Sequence, residues 1–234
     1  MSALEPLAYR DGDTALSGLL ARPAGSPRAA VVVFPTIINT TRAVEDKARA
    51  LAEAGYIALV ADFYAAMPAD FAEARELAGK VRADPFAYRR RLHSAIDGLK
   101  ALPDAAGLPV LAIGFCMGGG AVLELARAGA DLRAVVSFHG LLETPLPAAS
   151  GTIKARILIC HGDADALVPR EQVLGFWQEM DAAGGNWHFH SYSGVPHSFT
   201  NPYPGATGAI AHDPSADRQS WAAMHSLFDE VLGQ

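Results

Sequence analysis

The chain contains two cysteines, and one of them stands where a thiol can attack an electrophile. Cys116 lies at the centre of Gly114-Phe115-Cys116-Met117-Gly118-Gly119, the glycine-x-nucleophile-x-glycine spacing of an elbow between a strand and a helix. The spacing has a steric origin. A nucleophile on a sharp strand-to-helix turn holds a strained backbone, and the residues two positions away must be small for strand and helix to approach. The same turn sets the sulfur at a helix N-terminus, where backbone N–H groups favour thiolate over thiol. A thiol nucleophile needs a base, and the base needs an orienting acid. Behind such an elbow the acid precedes the histidine in chain order, both on loops beyond later strands. His197 suits the base, on the Gly/Pro loop Ser193-Gly194-Val195-Pro196-His197-Ser198-Phe199. For the acid, His161-Gly162-Asp163-Ala164-Asp165-Ala166-Leu167-Val168-Pro169 offers Asp163 and Asp165. Either serves on spacing alone, and the other is then a turn-forming aspartate.

The other seven histidines read differently. His139 ends a strand in Phe138-His139-Gly140 and is a candidate substrate contact. His161 also ends a strand and is read as structural. His188 and His190 alternate along one strand, without Cys or acidic ligands at metal spacing, so they read as a solvated face. His93, His212 and His225 have no companion motif. No metal or organic cofactor is implied. Cys160 reads as a buried strand residue.

The elements that must position these groups alternate in type. A hairpin over Leu7–Arg10 and Leu16–Ala21 turns at Asp11-Gly12-Asp13. The continuous apolar run at 30–34 reads as a strand buried on both faces. Helical spacing at Val44, Ala48, Leu51 and Ala52 follows, stopped by Gly55. Further strands are expected at 56–61, 110–115, 134–138, 156–160 and 187–192. Helices are expected in a segment from Phe71 and over 85–101, 121–128, 171–183 and 215–232, with Asp84 capping one and Asp213 or Ser215 another. The Pro/Ala/Ser stretch at 144–152 reads as a surface loop. Alternating strands and helices imply a mostly parallel sheet covered on both faces, in one domain over 1–234.

Composition narrows the function. The chain has 234 residues, half of them apolar, enough for a sizeable core rather than a disordered segment. A net charge of −6 with scattered Lys and Arg argues against nucleic acid or an anionic membrane as partner. No stretch approaches the ~20 apolar residues of a membrane span. The first residues, MSALEPLAYRDGD, lack the apolar run of a secretory signal. With no disulfide framework, a cytoplasmic location is expected.

In combination and order, GFCMGG, HGDADALVP, YSGVPHSF and the earlier GYIALVADFYA resemble the dienelactone hydrolase family of α/β-hydrolases, over nearly the whole chain. The resemblance implies the α/β-hydrolase fold and aligns the family's acid with Asp165, so that its Cys–His–Asp triad maps onto Cys116, His197 and Asp165. It implies an oxyanion hole from the N–H groups of Met117 and, through Phe34-Pro35-Thr36-Ile37-Ile38-Asn39, of Ile37. Two departures stand out. Thr36 occupies the place of a family glutamate that takes part in thiol activation. The arginines that clamp a substrate carboxylate are missing after His197 and at Glu73, with Arg75 nearby. Without a fixed cation, desolvating a carboxylate is costly, and a neutral or aryl ester or lactone is the expected substrate. Thr36, Ile38, Tyr64, His139 and Phe199 are the expected pocket. An activated phosphotriester is the alternative electrophile, a non-catalytic binding protein the alternative class, and a monomer or homodimer the expected assembly.

Overall fold

A computed structural model describes residues 3–203 and 212–233. Contacts divide the chain into two compact units, 1–112 and 113–234, and the division falls inside strand β5 (Val110–Phe115). In the first unit the strands are ordered β1 (Leu4–Asp11), β2 (Thr14–Ala21), β4 (Tyr56–Val60), β3 (Ala29–Phe34), and in the second β5, β6 (Ala134–Phe138), β7 (Arg156–Gly162), β8 (Trp187–Tyr192).

The first unit opens with a hairpin, β1 (Leu4–Asp11) and β2 (Thr14–Ala21), paired antiparallel from Leu4↔Ala21 to Asp11↔Thr14. Both strands run longer than their apolar pattern suggests. Cross-strand pairing recruits Glu5 and Pro6, and Pro6 is tolerated because β1 is the outermost strand. Strands β3 (Ala29–Phe34) and β4 (Tyr56–Val60) pair in parallel and are buried at every residue. This is why they read as uninterrupted apolar runs. Between them α1 (Arg42–Glu53) buries Val44, Ala48, Leu51 and Ala52 and is capped by Thr41. Helix α2 (Phe71–Arg82) is closed at its start by two side chains. The Asp70 side chain accepts from Glu73 N, and Glu73 reaches back to Ala69 N. Helix α3 (Pro85–Lys100) has Asp84 as its cap and Pro85 in its first turn.

Strand β5 (Val110–Phe115) leads into the second unit. Helix α4 (Met117–Arg127) begins directly at the elbow, four residues before the expected Ala121. Three consecutive glycines lower helix propensity and read as a turn, yet they form the first helical turn. The packing supplies the reason: a Cβ at Gly119 would sit 2.6 Å from Gly140 Cα, so only glycine lets α4 lie this close to the end of β6. Strands β6 (Ala134–Phe138), β7 (Arg156–Gly162) and β8 (Trp187–Tyr192) are mutually parallel. β7 runs two residues past its expected end because His161 and Gly162 pair with Ser191 and Tyr192. Helix α5 (Arg170–Ala183) and α6 (Pro214–Leu232, capped by Asp213) complete the unit. Residues 139–155 contain neither helix nor strand, as the loop reading of 144–152 requires. Among the described residues no helix is long and apolar enough to cross a membrane.

Candidate active site

Because β6, β7 and β8 are parallel, the segments following them leave the sheet at one edge. His139 immediately follows β6, Asp165 lies three residues past β7, and His197 five past β8. Ligand and reaction sites of open α/β sheets lie at this carboxyl edge.

Cys116 joins β5 to α4 with φ 54° and ψ −116°. Its backbone N–H lies 3.1 Å from both Phe138 O and His139 Nδ1. A left-handed φ at a side-chain-bearing residue costs on the order of 1–3 kcal/mol, and the surrounding packing must hold it. Gly114 shows how tight that packing is: a methyl there would penetrate the carbonyl of Gly118. Gly114→Ala is therefore expected to cost about 3 kcal/mol or more, read as a lowered denaturant midpoint. Two further left-handed residues of this unit, His139 (φ 41°) and Ser198 (φ 59°), flank the same edge. Backbone strain of this kind gathers where a site over-determines the chain.

Asp165 and His197 are brought together. His197 Nδ1 donates to Asp165 Oδ2 at 2.7 Å, and the Asp165 side chain is fully buried. Its other oxygen accepts from Leu167 N at 2.9 Å. Asp163, the other acid on this loop, faces outward and forms a two-pronged pair with Arg170 at 3.0 and 2.6 Å. Of the two acids on this loop, Asp165 is the one that meets His197.

His197 is buried, and its Nε2 has no hydrogen-bond partner of ordinary geometry among the described residues. Burial alone would make the ring less basic. The hydrogen bond to Asp165 and the nearby Cys116 sulfur outweigh it and push the pKa up to about 10. The protonated ring is therefore the form favoured at neutral pH. Such a site can hold a proton at Nε2 beside a sulfur and deliver it to a leaving group.

His139 and Phe199 were expected to touch substrate, and neither presents a surface for it. His139 is 2% exposed and Phe199 is fully buried. Their rings meet edge to face at 5.3 Å, and His139 meets His197 in the same way at 5.2 Å. Thr200 was not singled out from the sequence; it is buried, with its Oγ1 2.8 Å from His139 Nε2. Met117 is the first residue of α4, at the end where helix geometry points N–H groups outward. His161 is buried against Phe189, and burial lowers its pKa. Burial pushes the Cys160 thiol up to about 12, which makes it inert beside Cys116. Among the described residues no cluster could hold a metal ion.

In the first unit the loop carrying Thr36, Ile37 and Ile38 is held by a polar network that sequence reasoning missed. Thr36 accepts from Ile38 N through its hydroxyl and from Asn39 N through its carbonyl, so the residue in the glutamate's place is engaged in shaping the turn. Asn39 (φ 66°) donates to Asp62 Oδ1 at 3.0 Å and accepts from Phe63 N. Asp62, buried just past β4, also accepts from Tyr64 N, Ala65 N and Ser17 N. Tyr64 donates its hydroxyl to Ile37 O at 3.0 Å. Thr36, Ile37, Ile38 and Tyr64 are all half-buried. An acidic residue directly after a fully apolar strand was the available signal.

Comparison with known proteins settles the family. The model of the dienelactone hydrolase family matches residues 16–232. The chain belongs to the dienelactone hydrolase family. Among solved structures, that of m3DLH is 36% identical, with a TM-score of 0.90 and 98% of each chain covered. The dienelactone hydrolase-like promiscuous phosphotriesterase from metagenomic libraries is also 36% identical, with a TM-score of 0.89 and the same coverage. An uncharacterised protein of Caenorhabditis elegans is 37% identical over 147 residues, which span 61% of this chain and 92% of that one. The fold is the α/β-hydrolase fold. As a dienelactone hydrolase family member, the protein is a hydrolase of ester or lactone bonds in small molecules.

Proposed function

We propose that the protein is a cysteine hydrolase of neutral or aryl carboxylic esters and lactones, working through Cys116, His197 and Asp165 and a thioester intermediate. One observation carries this reading: a buried His197–Asp165 pair whose free Nε2 senses a sulfur at a strained strand-to-helix elbow.

His197, held by Asp165, maintains or generates the Cys116 thiolate by holding its proton at Nε2. The thiolate attacks the acyl carbon. The carbonyl electron pair moves to oxygen, where the N–H groups of Met117 and, on the resemblance alone, of Ile37 stabilise it; each such donor is worth ~10²–10³ in rate. The tetrahedral species collapses, the C–O bond breaks, and His197 Nε2–H protonates the leaving alkoxide. A water then gives a proton to His197 and its oxygen to the thioester carbon. Expulsion of the Cys116 sulfur releases the acid and returns the site to its starting state. Asp165 orients the ring through Nδ1 and stabilises the imidazolium. Thr36, Ile38 and Tyr64 are proposed as pocket residues. The absence of a cation along Ser198-Phe199-Thr200-Asn201 supports an uncharged substrate.

The similar promiscuous phosphotriesterase favours one second reading, in which the same thiolate attacks phosphorus in an activated aryl triester. The single domain, a cytoplasmic location, a monomer or homodimer, and no nucleic-acid or membrane partner belong to the same proposal.

The test is an acid quench during turnover of p-nitrophenyl acetate, followed by intact and peptide mass analysis. The expected result is one acetyl group on the peptide containing Cys116. An acetyl group elsewhere, or none during turnover, overturns the thioester route. A diethyl aryl phosphate run in parallel decides between carbon and phosphorus as the preferred electrophile.

A further inference from the structure

The catalytic assignment leaves a third side chain of this edge unexplained. His139 is buried, its backbone is left-handed, and both ring nitrogens are engaged. The Cys116 N–H donates to Nδ1 at 3.1 Å, so Nδ1 carries a lone pair and no proton. The proton of a neutral ring must then sit on Nε2, which donates it to Thr200 Oγ1 at 2.8 Å. Thr200 lies three residues past His197, on the same loop. One imidazole thus ties the nucleophile's own peptide to the loop of the base. Its edge also packs against the His197 ring at 5.2 Å.

The link matters because Asp165 holds only one end of the His197 ring. Asp165 holds Nδ1, whereas Nε2 has no hydrogen-bond partner of ordinary geometry among the described residues. The separation of Nε2 from the sulfur is therefore set by how the two loops are joined. A misplacement of ~1 Å in a reacting geometry can cost ~10²-fold in rate.

We infer that His139 and Thr200 form a positioning relay, Cys116 N–H to His139 to Thr200, which holds the elbow and the His197 loop in register for proton transfer. The inference rests on the reading of Cys116 and His197 as nucleophile and base. His139 acts here as a neutral bridge through both nitrogens and makes no contact with substrate.

The test measures kcat and KM on an aryl acetate, normalised to active sites by burst titration. The variants are Thr200→Val, Thr200→Ser, His139→Asn and the double Thr200→Val/His139→Asn. Valine keeps the shape of threonine and removes the acceptor. Asparagine keeps an acceptor near Nδ1 and is too short to reach Thr200. Thr200→Val and His139→Asn are each expected to lower kcat about tenfold with KM within about twofold. Serine at 200 is expected to restore kcat to within about threefold of wild type. Both changes cut the same chain, so the double variant is expected to be no slower than His139→Asn. Wild-type kcat per active site in Thr200→Val, failure of serine to rescue, or multiplying losses in the double variant overturns the inference. If His139→Asn does not fold, the threonine pair still decides. Cys116→Ala run alongside separates the two readings. If it retains activity, the nucleophile assignment fails; if it is dead while Thr200→Val is unimpaired, only the relay fails.

Discussion

Cys116→Ala is expected to abolish ester hydrolysis, with kcat reduced about 10⁴-fold or more relative to wild type, since loss of a nucleophile removes the whole covalent route. The folded state should survive. Cys116 is only half-buried, and alanine keeps the Cβ that the elbow already accommodates. The measurement is steady-state turnover of p-nitrophenyl acetate, with the far-ultraviolet spectrum and denaturant midpoint as controls. The same variant removes the sulfur that helps raise the His197 pKa, so the His197 imidazole should titrate at a lower pH in the alanine variant. Wild-type turnover in Cys116→Ala would remove the nucleophile from the mechanism and leave only a buried His–Asp pair.

Much of this was legible from local chemistry. The elbow is readable because sterics permit few residues around a strained nucleophile, and Gly114 meets Gly118 as that reasoning requires. The buried strands were readable because β3, β4, β5 and β6 are apolar at nearly every position. The start of α4 was not, since Gly118, Gly119 and Gly120 weaken a helix in isolation and are tolerated only for the close approach to Gly140.

His139 and Phe199 show a different blindness. Sequence places both beside the site, but periodicity does not say whether a side chain past a strand end points toward solvent or back into the core. Here both turn inward, and Thr200 becomes visible only as the partner of His139. Asn39 and Asp62 escaped for a related reason. Their link is a hydrogen bond spanning 23 residues, and no local pattern encodes it. What each residue type could do was readable throughout; which groups met was decided by tertiary packing.

Asp165→Asn carries the second large expected effect, and it has a sign in pH. The carboxylate accepts the His197 Nδ1 proton at 2.7 Å and is one of the influences that raise the ring's pKa to about 10. A raised pKa means that the imidazolium, which protonates the leaving alkoxide, is present below about pH 10 and disappears as pH rises through it. Wild-type activity is therefore expected to fall on an alkaline limb near pH 10. An asparagine amide cannot stabilise the cation, and burial then pulls the ring's pKa down unopposed by Asp165. The alkaline limb should move to lower pH by about one unit or more, and kcat at neutral pH should drop by up to about 10⁴-fold through loss of the correct tautomer. The checks are the pH profile of the residual activity and the titration of the His197 ring resonances. An unchanged alkaline limb with unchanged kcat would show that Asp165 merely braces the loop. A shifted limb with intact folding would make it the group that sets the charge of the base. The two outcomes differ because the hydrogen bond is buried: a surface pair at the same distance would be screened by water and move the pKa little, whereas the Asp165 side chain is shielded from solvent altogether.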